Sequence, residues 1–238
     1  MVRALIFDVF GTVVDWRGSI TREVRSLASE KGIRLNAGKF ANDWRAGYQP
    51  AMQRVRQGDL PWLNIDALHR LILNELKQEY KLDCLSEDET DTLNRVWHRL
   101  KPWPDSVRGL KKLKHQFTIS PLSNGNFSLL NNMAKHSGLP WDCIISAELF
   151  GHYKPDPETY LGACKLLDLD PAQVMLCAAH KDDLLAARGC GLKTAFIKRP
   201  REHSPSVRRD LSTDARFNYN ADNITGLRRI SQRVAMEF

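Results

Sequence analysis

The side chains of this chain best suited to chemistry fall in four separated stretches. Asp8 follows the apolar run Ala4-Leu5-Ile6-Phe7 and precedes Gly11-Thr12. Ser123-Asn124-Gly125 closes a second apolar run, and Lys154 stands within Tyr153-Lys154-Pro155-Asp156. A third apolar run leads into Ala178-Ala179-His180-Lys181-Asp182-Asp183. A carboxylate can serve as a covalent nucleophile, and a lysine beside it favours its charged form. A histidine with an ordinary pKa near 6.5 can move protons at neutral pH. Each residue also has a plainer reading. Asp8 can be a turn cap after the first strand, and His180 a structural hydrogen-bond donor in a loop.

The elements around these stretches argue for convergence. Apolar runs at 4–7, 117–122, 143–147, 174–177 and 194–197 read as strands, and they alternate with helical patterns at 127–136, 157–167 and 183–188. A last helix is expected from about Ile224 to Val234. Such alternation implies an α/β fold with a doubly wound parallel sheet. In that architecture the carboxyl ends of the strands open on one crevice. Pro121 lies inside a strand placed centrally, where proline is disfavoured, so a bulge or strand end is expected there.

Residues 16–100 read as helical throughout. A helix at 17–31 stops at Gly32, and Phe40, Trp44, Tyr48, Met52 and Val55 recur at helical spacing with Pro50 expected to kink the segment. Ile65, Leu68, Ile72 and Leu76 mark a third helix. Ser86 with Glu89 forms a capping-box pattern for a fourth, ending near Leu100 before Pro102 and Pro104. The expected organisation is therefore a core built from 1–15 and 101–238 and a helical-bundle cap from 16–100, inserted after the first strand over the carboxyl edge of the sheet.

A net charge of +7 and a pI near 9.2 raise the question of nucleic acid. Most basic residues are spread along the chain, however. The late cluster of Lys198, Arg199, Arg201, Arg208 and Arg209 lies among prolines and serines, as in a solvated loop. A positive field also draws in small anions. Five cysteines without metal-ligand spacing suit reduced thiols in a cytoplasmic protein, with Cys143 and Cys177 expected to be buried in their apolar runs. Asp8 interrupts the first apolar run too early for a signal peptide, and no run approaches the roughly 18 apolar residues of a membrane span. Neither a nucleic acid nor a membrane is an expected partner.

These four motifs, in order, resemble those of the haloacid dehalogenase superfamily over nearly the whole chain. The superfamily is mostly made of phosphatases, which carry a second acid two residues after the nucleophile and extra carboxylates that hold magnesium. Here the first position is Phe10, and aligning the last metal acid to Asp183 places the other on Ala179. A hard cation needs oxygen ligands. The pattern is closer to the type II 2-haloacid dehalogenases, to which Asp8-Val9-Phe10-Gly11-Thr12, Trp44-Arg45, Ser123-Asn124-Gly125, Lys154 with Tyr160, and Asp183 are similar.

The resemblance implies hydrolysis of short 2-haloacids to 2-hydroxy acids with no cofactor and no metal, the ligands being the haloacid, a halide ion and water. Asp8 would displace the halide to form an ester that water then cleaves. Lys154 would keep Asp8 charged and Thr12 orient it, Arg45 with Asn124 would receive the halide, and Ser123 would bind the substrate carboxylate. Phe10, Tyr48, Trp62 and Tyr160 become candidate substrate-contacting residues. Where relatives have Ser-Ser-Asn this chain has Ala178-Ala179-His180, so water activation is left open among His180, Asp183 and Lys154. The resemblance also raises a homodimer through the cap. The alternatives are a phosphatase of the same superfamily with altered motifs, and a non-catalytic binding module of that fold.

Overall fold

A computed structural model describes residues 1–227. They divide into two compact units, Met1–Asp15 with the chain from Lys101 onward, and Trp16–Leu100.

In chain order the first unit contributes β1 (Ala4–Phe7) and β2 (Val14–Asp15). The helical unit follows with α1 (Trp16–Glu30), α2 (Ala37–Ala46), α3 (Tyr48–Arg56), α4 (Ile65–Glu79) and α5 (Glu87–Asn94). The first unit resumes with β3 (Lys101–Pro102), α6 (Ser106–Lys114), β4 (Thr118–Ser123), α7 (Phe127–Ser137) and β5 (Ile145–Ser146). It continues with α8 (Pro157–Leu166), β6 (Val174–Ala178), α9 (Lys181–Gly189), β7 (Lys193–Ile197) and β8 (Tyr219–Ala221).

The sheet has the order β5-β4-β1-β6-β7-β8, and its ladders are all parallel. Ala4 and Ile6 of β1 join Val174, Leu176 and Ala178 of β6 in a core with Tyr160 and Ala163 of α8 and Leu184 and Ala187 of α9. Side chains alternate across a strand, so Leu5, Phe7, Met175 and Cys177 face the other way, and they too are fully buried. Burial on both faces is why β1 and β6 are continuous apolar runs. Each large side chain so buried contributes about 1.5–3 kcal/mol.

Pro121 fits its strand for a topological reason. The Ile119 backbone N–H donates to the Asp142 carboxylate on the β5 flank. Pro121, two residues on, faces the same flank, where pairing with β5 begins only at Leu122. No ladder hydrogen bond is lost. Other differences from the sequence reading lie in short elements. The 143–147 strand shrinks to Ile145–Ser146, and Cys143, expected to be buried, is exposed just before it. Helix α6, strand β8 and the antiparallel pair of β2 with β3 carry no strong pattern and were not expected. Of the last expected helix, Ile224–Leu227 forms a 3-10 turn, and its remainder lies outside the described residues.

Within the helical unit, α2 and α3 are separate helices that meet at Gly47. The break expected at Pro50 therefore falls three residues earlier. Pro50 sits in the first turn of α3, where its missing N–H has no intrahelical partner to lose. Phe40, Trp44, Tyr48 and Met52 are buried on one stripe. The Trp44 indole donates to the His69 carbonyl at 3.0 Å, and the His69 ring stacks on Trp97 with centroids 3.9 Å apart. Ser86 and Glu89 form the reciprocal capping box. Among the described residues no helix is long and apolar enough to cross a membrane.

Candidate active site

Asp8 follows the last residue of β1, and its N–H donates to the Cys177 carbonyl of β6 at 3.1 Å, which sets it at the carboxyl end of the two central strands. The chain then turns sharply. Gly11 adopts φ +87°, a left-handed conformation that glycine takes without steric penalty. This turn brings Thr12 back so that its hydroxyl donates to Asp8 Oδ2 at 2.6 Å while accepting the Ala179 N–H at 2.8 Å.

Three consecutive carbonyls of the turn are held from outside. The Trp103 indole donates to Gly11 O at 2.8 Å, Arg199 Nε to Thr12 O at 2.7 Å, and the Ser106 hydroxyl to Val13 O at 2.7 Å. Arg199 is itself fixed by a two-pronged pair with Asp105, at 2.7 and 2.9 Å. Arg199 is thus buried, which corrects its assignment to a solvated loop.

Lys154 lies between two carboxylates, with Nζ 3.1 Å from Asp8 Oδ1 and 2.5 Å from Asp183 Oδ2. Asn124 anchors this lysine by accepting its backbone N–H at 2.6 Å. Ser123 is buried and accepts the Gly125 N–H at 3.1 Å. Tyr160 is fully buried and donates to Asp183 Oδ1 at 2.5 Å. Tyr160, expected to contact substrate, is engaged here with Asp183. Its hydroxyl is held far above the usual range by burial and by the Asp183 charge.

His180 caps α9 and bridges two acids. Its Nδ1 is 3.1 Å from Asp8 Oδ2 and its Nε2 2.9 Å from Glu202 Oε1. Glu202 follows β7 and its other oxygen lies 3.4 Å from His203 Nε2. Burial disfavours the His180 imidazolium, but the Glu202 charge and the bonds to Asp8 and Glu202 outweigh it and push the pKa up to about 10. Burial also opposes the Asp8 carboxylate. The Lys154 charge, the His180 bond and charge, and the Thr12 bond prevail and hold it well below the usual range. Glu202 is likewise held down against burial, by His180 and then His203. Lys154 is raised against burial by Asp183 and Asp8. The result is an alternating chain of charges with buried Asp8 ionised at its centre and His180 and Asp183 only partly buried beside it.

The donor set does not suit magnesium. Phe10 is a buried hydrocarbon and Ala179 offers only backbone, while the two acids that remain, Asp8 and Asp183, already share the Lys154 ammonium. Among the described residues, His180, Glu202 and His203 have their ligand atoms within 4.8 Å of one another. Within this group His180 Nε2 and Glu202 Oε1 are in direct hydrogen-bond contact.

In the helical unit, the Arg45 guanidinium carbon is 4.3 Å from the centre of the Tyr48 ring and 5.8 Å from that of Trp16, within cation–π range. Tyr48 is buried, whereas Trp62 is 40% exposed. In the first unit, Phe10 packs against the loop at Gly125, where a Cβ would meet its ring at 3.2 Å.

The sequence reading missed Glu202, Arg199 and the Trp103 and Ser106 donors. For Glu202 and Arg199 the one advance signal is topological, since 198–203 follows β7 at the same sheet edge as the other motifs, whereas Trp103 and Ser106 carry none.

A family model for haloacid dehalogenase-like hydrolases matches residues 2–191. The L-2-haloacid dehalogenase PA0810 has a solved structure that is 48% identical with a TM-score of 0.94, covering 98% of this chain and 100% of its own. The structure of the defluorinating L-2-haloacid dehalogenase Rha0230 is 45% identical, also with a TM-score of 0.94, over 97% of this chain and 95% of its own. The (S)-2-haloacid dehalogenase 1 of Pseudomonas sp. (strain CBS-3) is 29% identical over 217 residues, 85% of this chain and 88% of that protein. With the family model spanning most of its length, the chain belongs to the haloacid dehalogenase-like hydrolases.

Proposed function

We propose that this protein hydrolyses short 2-haloalkanoic acids to 2-hydroxy acids through an ester on Asp8, without a metal ion. The observation that carries the reading is the state of Asp8. It is a buried carboxylate kept ionised by Lys154, His180 and Thr12, with Phe10 where a phosphatase would carry its proton-donating acid. The names of the similar proteins support the same substrate class.

In the first step an Asp8 oxygen attacks the halogen-bearing carbon from the side opposite the halogen. The carbon–halogen bond breaks with its electron pair on the halide, and the carbon inverts. The step needs no proton, so an ionised Asp8 and a carbon held in line suffice. Asn124 accepts the Lys154 N–H on Oδ1 and donates one Nδ2 proton to the Lys154 carbonyl, and its other Nδ2 proton donates to the departing halide. Arg45 of the helical unit is the cation proposed to receive it. Ser123 and neighbouring backbone N–H groups bind the substrate carboxylate. In the second step water attacks the Asp8 carboxyl carbon, releases the hydroxy acid and restores Asp8.

The test is halide release from a panel of 2-haloacids. The wild type is expected to release halide at a rate unaffected by EDTA, and Asp8→Asn to lose about 10⁴-fold or more, as loss of a covalent nucleophile does. Silence of the wild type on every haloacid, or turnover that survives Asp8→Asn, would overturn the proposal.

A further inference from the structure

We propose that Glu202 is a positioning residue for ester hydrolysis. It holds His180 in the tautomer whose Nδ1 accepts a proton from the attacking water once Asp8 has been esterified. The inference rests on the aspartyl-ester reading above and deepens it.

The geometry around Glu202 is built for this contact. The carboxylate is buried and meets His180 Nε2 at 2.9 Å, with His203 on its other oxygen. A Cβ at Gly11 would lie 2.2 Å from Glu202 Oε1, so the bare α-carbon of the turn makes room for the acid. Arg199, three residues earlier, grips Thr12 O. The 198–203 segment therefore positions both the nucleophile turn and the histidine.

In the resting state the imidazolium donates Nδ1–H to Asp8 and Nε2–H to Glu202. Lys154 lies on the far side of Asp8 and His203 on the far side of Glu202. Esterification removes the charge of Asp8 and leaves a neutral, weaker acceptor. The imidazolium then faces one anion where it faced two, and its Nδ1 proton is free to leave through a side chain that is 25% exposed. Glu202 retains Nε2–H, so the Nδ1 lone pair stays directed at the Asp8 carboxyl group. A buried carboxylate behind a histidine performs the same service in other hydrolases, fixing the tautomer and stabilising the imidazolium that forms.

The proton then moves in balance. Water loses one proton to Nδ1 as its oxygen bonds to the Asp8 carboxyl carbon. The tetrahedral adduct expels the substrate oxygen, which takes that proton from Nδ1–H and leaves as the hydroxy acid. Asp8 is left as a carboxylic acid and passes its proton to His180 Nδ1, which restores the resting ion pair, so the one proton released in the cycle is the one that left Nδ1 on esterification. The sum is haloacid plus water giving hydroxy acid, halide and one proton.

Glu202→Gln tests this, because the isosteric amide lacks the charge that stabilises the imidazolium and can present its NH2 as well as its oxygen to Nε2, so the tautomer with a free Nδ1 lone pair is no longer enforced. With a reactive 2-haloacid, the variant is expected to release about one halide per site at the wild-type rate. Its steady-state turnover should then fall about 100-fold or more, the lower range for general-base catalysis. Mass spectrometry of acid-quenched enzyme should show more ester on the Asp8 peptide than in wild type. The halide burst also reports that the variant is folded. Unchanged steady-state turnover without added ester would overturn the inference. Loss of the burst itself would do so too, since Glu202 would then support the nucleophile and not the histidine. Failure of the aspartyl-ester reading is a separate result, seen as absence of halide release and ester in the wild type.

Discussion

Asp8 is held by three hydrogen bonds and ionic contacts, and each does two opposing things. Lys154, Thr12 and His180 keep the buried carboxylate charged, and the same contacts temper its reactivity by sharing its lone pairs. What they secure is position, and position is sensitive to the turn at Gly11. Its φ of +87° and the 2.2 Å approach of Glu202 leave no place for a side chain. Gly11→Ala is expected to lose about 1–3 kcal/mol, the usual range for forced backbone strain, and so to lower the melting temperature by several degrees in calorimetry. Because the intruding methyl displaces Glu202, the surviving folded enzyme should also accumulate ester. A variant with unaltered melting and turnover would contradict the packing described. At this scale, Asp8, Lys154, His180 and Asp183 were legible because reactive side chains at strand ends stand out against apolar runs. Glu202 was not, since an acid among basic residues in a loop has no pattern, and its significance comes from a partner 22 positions away. Arg199 was misassigned for the same reason. Its neighbours are solvated, but its own fork meets Asp105 and Thr12.

The elements explain which parts of the fold a sequence displays. Strands β1 and β6 are buried on both faces and advertise themselves as apolar runs, as do the helices whose stripes repeat every three to four residues. Two-residue strands such as β2, β3 and β5 are defined by their pairing partners and carry no periodicity of their own. Pro121 makes the same point in reverse. Judged by type it argued against a central strand, and only the place where β5 starts shows that its missing N–H has nothing to bond. The break between α2 and α3 likewise falls at Gly47, where a Cβ would meet Ile72 at 2.6 Å, so packing against α4 sets the break as much as the proline does.

For the whole molecule, the charged chain in the active site ties stability to pH. Asp8 and Glu202 have folded pKa values below their ordinary ones, so the unfolded chain binds more protons on the acid side. Their stabilisation is present above the ordinary carboxylate range and is lost as pH falls through and below about 4. His180 behaves oppositely. Its folded pKa of about 10 exceeds the ordinary 6.5, so its contribution is complete below pH 6.5 and is lost as pH rises toward 10. Thermal melting across pH 3 to 10 should therefore peak near pH 5 to 6.5 and decline on both sides. Glu202→Gln should flatten the alkaline decline, and an unchanged alkaline limb would contradict the His180–Glu202 pairing.

The most direct test of the central claim, that Asp8 becomes covalently attached to the substrate, is a single turnover in ¹⁸O-labelled water with enzyme in excess over chloroacetate. An ester on Asp8 predicts glycolate whose new oxygen is unlabelled, because it came from the carboxylate, and one ¹⁸O in the peptide that carries Asp8. Labelled glycolate from that first turnover, with an unlabelled Asp8 peptide, would mean that water attacks the substrate directly.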